Sequence, residues 1–396
     1  MHMKTDTEPV VSPTHLNAEF TLSRSTALKI LGKSIKTCDS RNRDAIYADF
    51  IFQWKEDENG LTVIAHNASA DHVSFLPCDE IKNAKAGLTF GINAQTFLEV
   101  LRSLQEEVIE LKLSQGGIQI SAGSKKTQIT LATNSGGEYS PMKFSKGSEK
   151  IECDGNTLAS AMQQLYPYAA SDPEVKPLTG VYVHLVGTSL QARCTDEARI
   201  ASYSVEISDI GDKKTQFVVP RENAKILCDL LSDVQTVEID LSNNHARLTW
   251  DDNTYLCSLE TNDYPVEKID QFINCENIAS ATVSKADTLR SIKLASIVAK
   301  DGEIVVKLTQ EDTGGVITLS SDDAASGKTV DDIKTQQSDG TGEVHVDCKH
   351  LMQAVDSCVE PWIQITYREL PNGLKTIVIV DGNQSAQFVL FPARRL

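Results

Sequence analysis

Ser326-Gly327-Lys328-Thr329 is the stretch of this 396-residue chain that comes nearest to reactive chemistry. A lysine and a hydroxyl behind a glycine form the end of a phosphate-binding loop, in which backbone N–H groups and an ammonium cradle a nucleotide. The pattern fails at its start, because position 322 is Asp where a glycine is required, and the segment reads as a polar loop and not a strand-to-helix turn. Nine cysteines (Cys38, Cys78, Cys153, Cys194, Cys228, Cys257, Cys275, Cys348 and Cys358) stand singly with no C-x-x-C pair, so free thiols in a reducing cytosol are expected instead of zinc ligands or disulfides. His66, His184, His245 and His350 each lie alone on strand or helix patterns, and G-x-S-x-G, H-E-x-x-H and G-x-G-x-x-G are all missing from the sequence. Asp322-Asp323 and Asp331-Asp332 lack the spacing of calcium ligands. The sequence therefore predicts a non-enzyme with no metal and no cofactor.

The chemistry that remains is electrostatic. With 55 acidic against 38 basic residues the net charge is -17, which opposes binding of nucleic acid by a uniformly basic surface. The distribution is uneven, however. No acid occurs from Phe20 to Cys38, where Lys29, Lys33 and Lys36 fall on one helical face opposite Leu28, Leu31 and Ile35. A later stretch holds Lys285, Arg290, Lys293 and Lys300 diluted only by Asp287, and Gly155 to Ala170 is uncharged. A solvated face is the ordinary reading of one lysine stripe. Acid-poor helices in a strongly acidic chain point instead to a shared surface facing a polyanion, holding phosphates without reading sequence.

The elements that position these groups repeat. Phe90-Gly91-Ile92-Asn93, Phe217-Val218-Val219-Pro220 and Val344-His345-Val346-Asp347 each open a helical stretch, and they stand 127 residues apart, 90 to 217 and 217 to 344. Amphipathic helices follow (Phe97, Leu98, Leu101, Leu104; Ala224, Ile226, Leu227, Leu230, Leu231; Leu351, Met352, Val355), then strands from Val108, Val237 and Trp362. Each copy also starts with a helix capped by Ser23, Asp154 or Ser284 and closes on a proline near an aromatic: Tyr139 with Pro141, Tyr264-Pro265 and Phe391-Pro392. The expectation is an α+β fold in three copies, residues 18–146, 147–273 and 274–396, behind a flexible extension over 1–17. Ser145 to Glu149 and Gln271 to Asn277 read as linkers, and Glu311 to Thr341, rich in Asp, Ser, Thr and Gly, as the loosest stretch, with mobile hairpin loops. The first sixteen residues have no apolar core of a signal peptide and no run of 18 apolar residues occurs, so a soluble cytoplasmic protein with no membrane partner is expected.

From about Phe20 to Leu396 the chain resembles the bacterial sliding clamp, the β subunit of DNA polymerase III. The resemblance is carried by Leu178-Thr179-Gly180-Val181, Thr195-Asp196-Glu197-Ala198-Arg199-Ile200-Ala201, Val218-Val219-Pro220-Arg221, Ser242-Asn243-Asn244, Tyr264-Pro265 and Val389-Leu390-Phe391-Pro392 with its arginines, in that order and spacing. It implies three repeated DNA-clamp domains, two helices inside and antiparallel sheets outside in each, closing into a head-to-tail dimeric ring around double-stranded DNA, with processivity for a replicative polymerase as the function. Arg24, Lys29, Lys33, Arg41, Lys176, Arg221, Lys225, Lys285, Arg290 and Lys293 are then the DNA-facing candidates. A pocket for short peptides of the polymerase, clamp loader and repair proteins, ending in leucine and phenylalanine, would use Leu178, Thr195, Arg199, Ile200, Pro265, Ile269, Thr376, Val389, Leu390, Phe391, Pro392 and Arg394. Leu294 and Ala295, with the edge strand carrying Gln128, Ile129 and Leu131, are the candidates for the dimer contact. The chain departs from the family where Glu197-Ala198 replaces a usual Gly-His, in Tyr264-Pro265-Val266-Glu267-Lys268, and in a tail one residue longer. A non-replicative, clamp-like interaction hub that does not encircle DNA is the alternative.

Overall fold

A computed structural model describes residues 17–393 apart from 42–43, 57, 124–126, 138, 146, 148–149, 300–301, 313, 324 and 371. The expected extension before Asn17, most of the first expected linker and the pocket candidate Arg394 lie outside the described residues. Seven α-helices occur among the described residues: α1 (Arg24–Ser34), α2 (Ala94–Ser103), α3 (Gly155–Leu165), α4 (Arg221–Leu231), α5 (Val266–Ile273), α6 (Lys285–Ala299) and α7 (Cys348–Ser357). Their starts follow local chemistry. The side chains of Ser23, Asn93 and Asp347 accept the N–H groups of Thr26, Thr96 and His350, and Ser284 accepts from Asp287 at 3.3 Å. These bonds satisfy donors that the first helical turn leaves without partners.

The strands join in antiparallel sheets, and the chain gathers into two compact units, one holding the described residues up to Asn156 with Asp229–Ser258, the other Thr157–Cys228 with Leu259–Leu396. In the first unit, a five-stranded sheet runs in the order Glu80–Lys82, Ala18–Ser23, Val108–Ser114, Gly117–Ala122, Thr127–Leu131. An eight-stranded sheet places Asn253–Ser258 beside Ala70–Pro77, pairing Leu256 with Asp71. In the second unit, a nine-stranded sheet places Arg199–Glu206 beside Ala386–Leu390, pairing Ile200 with Val389, and a four-stranded sheet ends in Gly327–Lys334. Backbone pairing thus runs from the middle sequence copy into the first copy in one unit and into the third in the other. The repeat is one of chain pattern, whereas hydrogen bonding joins neighbouring copies.

The first unit packs Phe20, Phe50, Phe52, Phe90 and Phe97 with Leu31, Leu98 and Leu101 from α1 and α2. Phe52 stacks on Phe90 at 5.1 Å and meets Phe97 edge-on at 5.8 Å, the offset and edge geometries that aromatic quadrupoles favour.

Two expectations about connecting segments give way. Between Glu311 and Thr341 the chain forms strands Gly314–Asp323, Gly327–Lys334 and Gln337–Asp339, with Ile317 and Leu319 buried. Its polar composition belongs to outward positions of strands whose alternate residues fill a core. Gln271 to Ile273 is the last turn of α5, because Ile269, Phe272 and Ile273 fall at i, i+3 and i+4 and share one helical face.

Candidate functional site

Alternation along two paired strands sorts the expected pocket residues. Thr195 pairs with Ile200, Ile200 with Val389 and Val389 with Val378, so these side chains share one face of the nine-stranded sheet. On that face Ile200, Val378 and Val389 pack with Ile269 and Ile273 of α5, and Tyr264, Phe272, Val380 and Phe391 surround them. Pro265 leads α5, its carbonyl accepting the Ile269 N–H at 3.1 Å. The Thr376 hydroxyl, buried, donates to the Leu390 carbonyl at 2.7 Å. Phe391 meets Phe272 edge-on at 5.3 Å, and its N–H reaches the Ala198 carbonyl at 3.4 Å. The Ala393 N–H donates to the His345 carbonyl at 2.9 Å, tying the tail down beyond the half-buried Pro392. Ile200, Ile269, Ile273, Val378 and Val389 are thus buried against one another, and the half-buried rings of Tyr264, Phe272 and Phe391 edge them.

Arg199 and Leu390, paired with each other, belong to the opposite face. There the Arg199 guanidinium donates to Asp196 from two nitrogens at 2.6 and 3.1 Å and to the Gln353 side chain on α7, and lies 4.8 Å from the centre of the Tyr168 ring. Tyr168 stacks on Phe388 at 5.1 Å and contacts the Ser357 hydroxyl at 3.2 Å. Arg199 is therefore a buried clasp between the 195–199 turn and α7, not an open rim charge. Burial, with the Arg199 charge adding to it, lowers the pKa of the neighbouring His350. Leu178 is buried, and its carbonyl accepts the Ala170 N–H at 2.9 Å. Sequence reading missed Tyr168, Gln353 and Phe272; only the helical spacing of Ile269, Phe272 and Ile273 signalled the last.

The basic candidates divide into several environments. In the first unit Lys29 and Arg41 are exposed, Arg41 lying 3.9 Å from Asp39. The Lys33 ammonium lies 3.3 Å from Asp233, and Lys36, on the same face, lies 3.1 Å from Asp229. In the second unit Lys176, Lys225 and Lys293 are exposed and Arg290 pairs with Asp331 at 3.3 Å. The Lys285 ammonium donates to the Asp356 and Cys358 carbonyls at the end of α7, where a cation complements the helix dipole. Arg24 and Arg221 are half-buried at the first positions of α1 and α4.

Thr127–Leu131, with Gln128 exposed and Ile129 and Leu131 half-buried, closes one end of its sheet, pairing with Gly117–Ala122 alone. On α6 Leu294 is 42 % exposed and Ile297 73 %, whereas Ala295 is 1 % exposed and turned into its own unit, its carbonyl accepting from Ser321 at 3.1 Å. Ala286, Leu289, Arg290, Lys293, Leu294 and Ile297 line an open cavity of about 490 Å³. The large apolar side chains that α6 turns outward are thus Leu294 and Ile297, three apart, and Ala295 offers no surface.

Residues 152–266 match a family described as the DNA polymerase III beta subunit, central domain. The chain is 23 % identical over 333 residues to the beta sliding clamp of Streptococcus pneumoniae serotype 4, covering 81 % of this chain and 84 % of that one. It is 22 % identical over 329 residues to that of Bacillus subtilis strain 168, covering 81 % and 85 %. Among solved structures, the DNA polymerase III beta subunit of Thermotoga maritima superposes with a TM-score of 0.83 at 17 % identity, covering 96 % of this chain and all of that one. A Pseudomonas aeruginosa sliding clamp bound to griselimycin gives 0.82 at 16 % identity, covering 96 % of this chain and all of that one. Likeness over this span shows that the folds are the same.

Proposed function

We propose that this chain is a β sliding clamp of the bacterial DNA polymerase III β-subunit family, which encircles duplex DNA and tethers a replicative polymerase without catalysing a reaction. The observation that carries the reading is the whole-chain match in fold to solved clamps, joined to a threefold pattern of helix pairs and sheets within this sequence. A ring holds DNA topologically, so tight phosphate contact is unnecessary and a net charge of -17 is compatible with DNA as partner. Lys29, Lys33, Arg41, Lys176, Lys225 and Lys293 supply diffuse, sequence-independent attraction.

Residues 18–146, 147–273 and 274–396 serve as the three domains. Two copies close head to tail, the open edge at Thr127–Leu131 of one chain meeting Gly327–Lys334 and the Leu294 and Ile297 face of the other, which satisfies two strand edges and covers apolar surface at once. The seat around Ile200, Val389, Phe272 and Phe391 takes short peptides of polymerase, loader and repair proteins by their apolar anchors. Such work belongs in the cytoplasm.

The experiment is retention on DNA. After loading, the protein should stay on closed circular DNA and leave when the circle is cut; equal retention on both forms would refute encirclement. Sedimentation at micromolar concentration separates the hub alternative, since a stable monomer supports the hub and a dimer the ring.

A further inference from the structure

We propose that Glu197 selects partner peptides, favouring those that carry a lysine or arginine close to their apolar anchors; the inference rests on the peptide seat proposed above. Glu197 stands in the left-handed region at φ +71, a conformation that favours glycine and costs a residue with a Cβ. Its neighbours hold it there. The Thr195 hydroxyl oxygen accepts the Glu197 N–H at 3.1 Å and donates to the Arg199 carbonyl at 2.7 Å, while Asp196 accepts the N–H groups of Ala198 at 3.2 Å and Arg199 at 2.9 Å. A strained residue maintained by the surrounding bonds invites the question of what its side chain does.

Charge and place answer it. Asp196 is spent on the Arg199 guanidinium and Asp270 on Arg193 at 2.8 Å, so both are neutralised within the chain. Glu197 is exposed, and among the described residues its carboxylate has no hydrogen-bond or ion-pair partner. The next residue, Ala198, is the one whose carbonyl receives the Phe391 N–H, so the turn lies directly against the aromatic rim formed by Phe391 and Phe272. On α5, Glu267 and Lys268 are exposed and adjacent in sequence, and their formal charges sum to zero. A peptide whose apolar side chain docks on this rim therefore brings its neighbouring residues within reach of one uncompensated negative charge. Such a rim pair sets choice between partners more than affinity.

The test uses the full-length protein and three synthetic decapeptides ending in Leu-Phe, identical except for Lys, Gln or Glu three residues before the leucine. Fluorescence anisotropy at low salt should rank them Lys, Gln, Glu, with about a threefold step in Kd between neighbours, the size of a solvent-exposed pair, shrinking in 0.5 M salt. Glu197→Gln should reduce the steps to near unity, and Glu197→Lys should reverse the order. Glu197→Gly, which removes charge and backbone strain together, should lose discrimination while gaining thermal stability, separating the charge effect from misfolding. If Glu197→Gln keeps the original ranking, the inference is refuted while the seat stands. If none of the peptides binds the parent protein, the seat itself is wrong and the inference falls with it.

Discussion

Replacing Arg199 with alanine removes the clasp between the 195–199 turn and α7, and its cost can be worked from the contacts. The Arg199 side chain is 8 % exposed and its partner Asp196 20 %, so the pair is largely withdrawn from water. Breaking a buried ion pair by deleting one partner costs about 3–5 kcal/mol, chiefly because the remaining charge is stranded. Here the loss on that account is nearer 2 kcal/mol, because Asp196 keeps two backbone N–H donors, from Ala198 and residue 199. The guanidinium over Tyr168 adds about 1 kcal/mol, and the Gln353 amide left without its partner a further fraction. Arg199→Ala should therefore lower the local opening free energy of α7 and of strand Arg199–Glu206 by about 3 kcal/mol, more than a hundredfold in the open population. Hydrogen exchange read by mass spectrometry on fragments covering 199–206 and 348–357 measures it directly. Arg199→Lys should recover less than half, since an ammonium cannot reproduce the two-nitrogen contact. In a double-mutant cycle with Asp196→Asn the coupling should be about 2 kcal/mol. A change below about 1 kcal/mol in Arg199→Ala, or no coupling to Asp196, would refute the clasp.

Burial pushes the pKa of His72, stacked on Trp250 at 5.8 Å, down to about 4, and lowers that of His66 for the same reason. The unfolded chain therefore binds protons more readily, so this stability is complete above about pH 6.5 and is lost as pH falls toward 4, by about 3 kcal/mol for His72; urea denaturation across this range should flatten in His72→Phe. Asp229→Asn with Asp233→Asn frees the ammonium groups of Lys36 and Lys33, and the slope of log affinity for DNA against log salt should steepen by about 2; an unchanged slope would place these lysines away from DNA. Deleting Phe391 to Leu396 removes the rim and its bonds to Ala198 and His345 while leaving strand Ala386–Leu390, so peptide binding should fall at least about tenfold with the oligomeric state unchanged; peptide affinity that survives would move the seat elsewhere.

The local features were legible in the chain. Helix starts at Ser23 and Ser284, the strand-to-helix sequence at 90–94, 217–221 and 344–348, and the hairpin at Gly116-Gly117 depend on residues a few positions apart, and periodicity reports them. The repeat followed from the same patterns, as did the apolar ending at Val389-Leu390-Phe391. What the tertiary structure decided is which of these residues meet. Adjacent Arg199 and Ile200 look like one site along the chain, yet the two-residue period of a strand sends one to α7 and the other to α5. Lys33 and Lys36 read as a bare cationic stripe until folding brings Asp233 and Asp229 against them from far along the chain. Ala295 reads as surface until the rotation of α6 turns it inward and Ile297 outward. Register, helix rotation and ion pairing are set by packing between distant segments, and no local window of sequence carries them.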